Sequence, residues 1–98
     1  MAFTMEQIDA VWTMGQIVKG SDPGSWRKDE CNAWIKYSDY GKHNSQYGWE
    51  INHIISGEHE GSENLTNLRP LQWENNVLKS SGKPDCVVTS SGTTNIKS

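Results

Sequence analysis

The chain has 98 residues, of which 34% are hydrophobic, and this allows one domain with one modest core. Nine Lys and Arg stand against twelve Asp and Glu, so the net charge is −3. This balance disfavours a surface that is basic all round, but a basic stripe on one face is compatible with it.

No targeting or membrane segment is predicted. Apolar runs such as residues 86–88 are far too short to cross a bilayer. Residues 1–6 lack the basic and apolar regions of a signal peptide. We therefore expect a cytoplasmic protein.

The chain has two cysteines, Cys31 and Cys86, which are too few for a disulfide scaffold or a four-cysteine zinc site. Neither belongs to a C-x-x-C pair. We expect both to be small buried hydrophobic side chains.

The first predicted element is a helix. Thr4 and Gln7 have the spacing of a capping box, in which each side chain bonds the other residue's backbone N–H. Hydrophobic residues recur at helical spacing over the next two turns, and Gly15 follows them. This pattern predicts a short amphipathic helix over residues 5–14, with its apolar face in the core.

The middle of the chain alternates between loops and aromatic segments. Residues 20–24 form a loop by composition, and residues 40–45 a turn. The aromatic segment 26–37 between them is compatible with either a strand or a short helix. Residues 47–55 are rich in β-branched and aromatic residues, which predicts a strand.

The last part of the chain predicts a loop, a strand, a helix and a tail. Residues 56–63 are polar and acidic, and three leucines between positions 65 and 71 indicate a second short strand that ends near Pro70. Apolar residues at helical spacing predict a helix over residues 73–80. The Ser/Thr/Gly/Asn-rich segment from residue 90 onward is expected to fray.

Three segments, in this order, resemble the HNH endonuclease motif. They are Trp-Glu-Ile-Asn-His-Ile at 49–54, Thr-Asn-Leu-Arg-Pro-Leu at 66–71 and Trp-Glu-Asn-Asn-Val-Leu-Lys at 73–79. The single segments are weak indicators, but three at the family's spacing are considerably more specific. The resemblance extends over roughly residues 11–90 and implies an α+β fold. Its core is a ββα-metal unit at about 47–82, an antiparallel hairpin followed by a helix, with an extra N-terminal helix in one domain of residues 1–98.

The resemblance is to the H-N-N form of the motif, with His53, Asn67 and Asn76 at the three positions. It implies an endonuclease that hydrolyses phosphodiester bonds, with DNA a more probable substrate than RNA. His53 would be the general base, because a neutral imidazole can take a proton from water near pH 7. Asn67 would hold the catalytic loop and orient that imidazole.

The family's metal ligands correspond to Asn52 and Asn76, whose amide oxygens are hard donors of the kind that Mg²⁺ accepts. The resemblance implies one divalent cation, Mg²⁺ or else Mn²⁺, which would polarise the phosphate and stabilise the departing oxyanion. Arg69 and Lys79 would neutralise phosphates beside the site.

The chain departs from the usual family pattern in two ways. Many HNH domains bind structural zinc through two C-x-x-C pairs, but Gln72 and Asn75 occupy the second pair's positions, so we expect no structural zinc. Asn52 stands where the family usually has Asp, which leaves the inner site without an assigned carboxylate. Such a site could bind metal weakly, recruit Glu50 or Glu74, or have lost catalysis.

These differences define an alternative function. The chain would be a catalytically weakened HNH scaffold that binds a protein or a nucleic acid as an inhibitor or regulator. The acidic loop 56–63 and the net charge of −3 also favour it. His43 and His59 lie in polar loops and are expected to be exposed, and Glu50 is expected to support Asn52 rather than bind metal itself.

Overall fold

The computed structural model describes residues 3–55, 64–77 and 82–98. In these ranges the chain is α+β, as predicted, with two α-helices and three two-stranded antiparallel sheets. None of the described helices has the length and apolar character required to span a bilayer. The elements in chain order are α1 (Met5–Trp12), β1 (Trp26–Lys28), β2 (Trp34–Lys36), β3 (Trp49–His53), β4 (Leu68–Gln72), α2 (Trp73–Val77), β5 (Val88–Ser91) and β6 (Thr94–Lys97).

Helix α1 begins with the predicted capping box. The Gln7 backbone N–H donates to Thr4 Oγ1 at 3.1 Å, and the Thr4 N–H donates to Gln7 Oε1 at 2.9 Å. The helix ends at Trp12, two residues earlier than predicted. Beyond it, the Arg27 guanidinium donates to the carbonyl oxygens of Thr13 and Gly15, both at 3.1 Å, so a cation from β1 satisfies carbonyls just past the helix end.

The core forms where α1 packs against the β3–β4 hairpin. Trp49 of β3 is fully buried, and its ring centroid lies 5.2 Å from that of Trp12 on α1. Burying residues of this size contributes about 1.5–3 kcal/mol each. The buried members of this cluster are Ile8, Val11, Trp12, Ile35, Trp49, Ile51 and Leu68.

Strands β3 and β4 pair antiparallel, with Asn52 opposite Arg69 and His53 opposite Leu68. The prediction that the second strand ends near Pro70 is wrong, because Pro70 lies in the middle of β4, opposite Ile51. A proline is tolerated there since β4 pairs on one side only, and a nitrogen on the unpaired side removes no ladder bond. The strand, hairpin partner and helix follow one another in the predicted order, and α2 is described up to Val77.

The two cysteines form a disulfide, so the prediction of two unpaired hydrophobic side chains is wrong. Cys31 lies in the turn between β1 and β2 and is buried, whereas Cys86 precedes β5 and is exposed. The partners are separated by 55 positions, and no local pattern indicates the pairing. The bond ties the first hairpin to the C-terminal segment.

The C-terminal tail is an ordered hairpin rather than a frayed end. Strands β5 and β6 pair across a turn at Gly92, which has a positive φ of 61°. Asn95 of β6 binds the backbone of Trp34 in β2: its Oδ1 accepts from the Trp34 N–H at 2.7 Å and its Nδ2 donates to the Trp34 carbonyl at 2.9 Å. The side-chain amide of Asn95 thus makes the two backbone hydrogen bonds that a neighbouring strand would make. Amino-acid composition does not reveal such a contact.

Candidate functional site

The residues of the HNH-like motif lie on β3, in the turn before β4 and on α2, and the side chains of Asn52 and Asn76 are in contact. His53 is the last residue of β3 and is half-buried, with its ring centroid 6.0 Å from that of Phe3. The next residue, Ile54, donates its N–H to the Asn67 carbonyl at 2.8 Å. The His53 imidazole therefore lies where the chain leaves the β3–β4 hairpin.

Asn67 fixes the chain just after His53. It lies in a short 3-10 turn, Leu65–Asn67, that leads into β4. Its Oδ1 accepts from the Ile55 N–H at 2.9 Å, and its Nδ2 donates to the Ile55 carbonyl at 3.1 Å. One side chain thus satisfies both backbone groups of a residue beyond the strand end, which restrains the position of the histidine.

Asn52 and Asn76, the two expected metal ligands, are in direct contact. Asn52 Nδ2 donates to Asn76 Oδ1 at 2.7 Å. Asn76 Nδ2 in turn donates to Glu50 Oε1 at 2.9 Å. Glu50 was expected only to support Asn52, yet it contacts the second expected ligand directly. These three residues are called the polar cluster below.

Arg69 adds a positive charge to the polar cluster. Its Nε donates to Asn52 Oδ1 at 2.7 Å, and its Nη1 lies 3.2 Å from Glu30 Oε1. The residue is only 7% exposed, and its Nη2 atom is buried with no hydrogen-bond partner among residues 3–55, 64–77 and 82–98. The sequence predicted a phosphate contact for Arg69, whereas this guanidinium lies inward, against the amide of Asn52.

His43 is exposed in a turn, as predicted, and it reaches the polar cluster from outside the motif. Its Nε2 lies 2.8 Å from Glu50 Oε2, and its ring stacks on Trp73 with centroids 4.6 Å apart. A side chain on Gly48 would prevent this approach, because a Cβ there would lie 1.8 Å from the Lys42 carbonyl oxygen. No sequence pattern relates His43 to Glu50, which lies seven positions further along the chain.

Glu74, the other carboxylate considered for the site, does not face the polar cluster. It forms an ion pair with Lys97 of β6. The hydrogen bond from Lys97 lowers the pKa of the Glu74 carboxyl. Glu50 is therefore the carboxylate that the fold brings to Asn52 and Asn76.

A second buried polar group, the Asp29 carboxylate, links β4 to α2. The Asp29 carboxylate accepts from the backbone N–H groups of Cys31, Ala33 and Gln72 at 2.8–2.9 Å, and from Asn75 Nδ2 at 3.0 Å. Burial raises the pKa of this carboxyl, and the four donated hydrogen bonds oppose that rise. Gln72 and Asn75, which the sequence resemblance aligned with zinc-binding cysteines, thus belong to a hydrogen-bonded group around Asp29 that the sequence did not reveal.

The polar cluster offers one carboxylate and two amide oxygens to a cation. No three His, Cys, Asp or Glu side chains in the described ranges form a group that could hold a metal. Mg²⁺ is often bound by only one or two carboxylates, with waters and substrate phosphates completing its shell. The donors therefore fit a weakly held hard cation, but each of their oxygens already accepts a hydrogen bond, and Arg69 offsets the charge of Glu50.

Two parts of the expected site lie outside the described residues. These are Lys79, expected to contact phosphate, and the acidic loop 56–63, which contains His59. No family model, curated protein or solved structure matches the chain.

Proposed function

We propose that this chain is an HNH-type endonuclease with a ββα-metal core, which hydrolyses phosphodiester bonds in DNA with the help of one divalent cation. The observation that carries the proposal is the hydrogen bond between Asn52 of β3 and Asn76 of α2. It joins residues 24 positions apart, beside the histidine that ends β3. A hairpin followed by a helix, with a contact between these two motif positions, is an arrangement that the family resemblance implies.

In this proposal His53 accepts the proton from the attacking water. Proton transfer by a positioned side chain contributes about 10²–10⁴-fold to a rate, provided that the side chain is held in place. Asn67 acts as a positioning residue, because its two bonds to Ile55 restrain the backbone next to the histidine.

Glu50, Asn52 and Asn76 would hold the cation. When bound, Mg²⁺ or Mn²⁺ supplies Lewis-acid stabilisation of charge on the phosphate and the leaving oxygen. Glu50 provides the carboxylate that Asn52 does not, and His43 restrains it from the other side. Because the protein's own contribution is weak, the DNA phosphate is expected to complete the site.

One observation favours the alternative function, a binding scaffold without catalysis. Arg69 Nε donates to Asn52 Oδ1, the atom that would have to bind the metal. A buried guanidinium at this position repels a divalent cation. In this alternative the domain binds a nucleic acid or a protein and cleaves nothing.

Plasmid nicking distinguishes the two functions. Purified protein is incubated with supercoiled DNA in Mg²⁺, Mn²⁺ or EDTA, and His53→Ala is assayed beside the wild type. The nuclease predicts cleavage that EDTA abolishes and that His53→Ala reduces by at least about 10²-fold. His43→Ala, which removes a support of Glu50 but not the base, should still cleave, at a higher metal concentration. A folded protein that does not cleave DNA with either metal supports the scaffold, and full activity of His53→Ala removes this residue from the mechanism.

A further inference from the structure

The outer face of the first hairpin alternates aromatic and basic side chains. Strands β1 and β2 pair with Trp26 opposite Lys36 and Lys28 opposite Trp34. Residues two apart on a strand, or directly opposite across an antiparallel pair, share one face of the sheet. These four side chains therefore form a two-by-two pattern, in which each tryptophan has a lysine as its cross-strand neighbour.

The contacts confirm this pattern. Lys28 Nζ lies 4.9 Å from the ring centroid of Trp34, and Lys36 Nζ lies 5.5 Å from that of Trp26. The two indole rings meet edge to face with centroids 6.1 Å apart, and Tyr47 packs on Trp26 in the same way at 4.9 Å. The ammonium groups are thus held beside the aromatic rings rather than extended into solvent.

A cleft opens between these rings. It has a volume of about 250 Å³ and is lined by Ser21, Trp26, Trp34, Tyr47 and Thr93. This lies just below the range of about 300–1,000 Å³ that is typical of drug-sized ligands, so the cleft suits one planar ring system. Trp34 forms a fixed wall, since it is buried and its Nε1 donates to the Gly92 carbonyl at 2.7 Å. Trp26 and Tyr47 are only half-buried.

The opposite face of the β1–β2 hairpin packs against the core and the end of α1. There Ile35 is fully buried in the core, and Arg27 binds the end of α1. On the outer face, Trp34 and Tyr47 bind the turn between β5 and β6 through the carbonyl oxygens of Gly92 and Thr93. The acidic group next to the cleft, Asp22, is directed into its own loop, where it accepts from the Gly24 N–H and the Ser25 hydroxyl. Two ammonium groups beside these rings thus make a locally basic surface on a chain of net charge −3.

We propose that this face binds single-stranded nucleic acid, with one base in the cleft and the adjacent phosphates on Lys28 and Lys36. Stacking platforms with interleaved cations are the usual means of binding single strands without sequence preference. The bases of an intact duplex are stacked in pairs and cannot enter such a cleft. The inference extends the proposed function by naming an unpaired strand as the ligand, but it requires neither metal nor cleavage.

The test measures binding in EDTA, so that catalysis plays no part. A fluorescently labelled thymidine oligonucleotide is titrated with protein by anisotropy, beside an abasic strand of equal length and charge. Trp26→Leu should weaken binding of the thymidine strand by about five- to 150-fold and leave the abasic strand unaffected. Lys36→Gln should reduce the slope of log Kobs against log salt by about 0.7. Lys83→Gln should leave affinity unchanged, because Lys83 is exposed and follows Gly82, whose N–H binds Ile54 rather than a residue of the cleft.

Each other outcome overturns the inference. It fails if wild-type protein does not bind the thymidine strand, if it binds the abasic strand equally well, or if folded Trp26→Leu keeps full affinity. Preference for a duplex competitor over the single strand also refutes it. Circular dichroism checks the fold of Trp26→Leu, and the surface variant Lys36→Gln gives an answer if that fold is lost. Metal-dependent nicking without base-dependent binding would refute this inference alone, and base-dependent binding without nicking would refute the nuclease alone.

Discussion

Replacing both cysteines with serine should remove a large share of the stability of the fold. A cross-link stabilises mainly by restricting the unfolded chain, and the effect grows with the loop that it closes. For a separation of 55 residues, the chain-entropy relation gives about 4 kcal/mol at 25 °C. Domains of this size have total stabilities of about 5–15 kcal/mol, so the loss is a substantial fraction of the whole.

The native structure itself should survive this change. The segment after Cys86 is held by other contacts, because Asn75 Oδ1 accepts from the N–H groups of Val87 and Val88 at 2.8–2.9 Å. Asn95 anchors the following hairpin to β2. The double variant is therefore expected to show an unchanged circular dichroism spectrum but a lower free energy of unfolding.

Urea unfolding with and without dithiothreitol measures the effect. Reduced wild type should match the Cys31→Ser/Cys86→Ser variant, and the variant itself should not respond to the reductant. Two titratable thiols in the oxidised wild type would refute the reasoning. So would free energies of unfolding of the oxidised wild type and the double variant that differ by less than about 1 kcal/mol. Disulfides persist mainly in oxidising compartments, so a thiol count on protein taken directly from cells also tests the expectation of a cytoplasmic location.

Two further predictions concern the supports of the site. Asp29→Ala leaves four donors without their acceptor, and it should destabilise the fold by more than about 3 kcal/mol in urea unfolding, against less than about 0.5 for exposed Glu6→Ala. The Glu74–Lys97 pair should stabilise by less than about 1 kcal/mol, because Lys97 is largely exposed. Since the pKa of Glu74 is lowered by folding, this contribution is present at neutral pH and is lost over the range in which the pH falls below the ordinary pKa of a glutamate. A stability difference between wild type and Lys97→Gln that does not change over that range would contradict it.

Local sequence patterns predicted the elements that depend on contacts between residues close together in the sequence. The capping box at Thr4 and Gln7 places the start of α1, and the strand–strand–helix order followed from apolar spacing and turn residues. Sequence reasoning also placed Asn52 and Asn76 in one site, and they are in contact. That step depended on the resemblance to a motif, because nothing in the composition relates residues 24 positions apart.

Long-range pairings account for what the sequence did not predict. The disulfide, the hydrogen-bonded group around Asp29 and the docking of Asn95 each join segments more than 40 positions apart. Arg69 reaches the polar cluster through its register opposite Asn52, a detail that requires knowing how the strands pair. The predicted phosphate contact of Arg69 assumed an exposed side chain, whereas the fold directs this side chain inward.

Asn52→Asp tests the proposed metal site most directly. Asn and Asp are nearly isosteric, so the change adds charge with little change of shape. The new carboxylate would lie beside Asn76 and Glu50, where a divalent cation attracts it even after solvent screening. It would also attract Arg69, which competes with the metal, and Arg69→Gln in the same background removes that competitor.

The decisive measurement is a Mg²⁺ titration of plasmid nicking by wild type and Asn52→Asp, with Asn44→Asp as a control that adds the same charge at an exposed turn. We predict that Asn52→Asp lowers the Mg²⁺ concentration for half-maximal cleavage by about tenfold or more, equivalent to about 1.4 kcal/mol, and that Asn44→Asp leaves it unchanged. If the wild type is inert, Asn52→Asp should create measurable cleavage. A folded Asn52→Asp protein with unchanged or weaker metal dependence would contradict the account, because Asn52 would then not be a metal ligand.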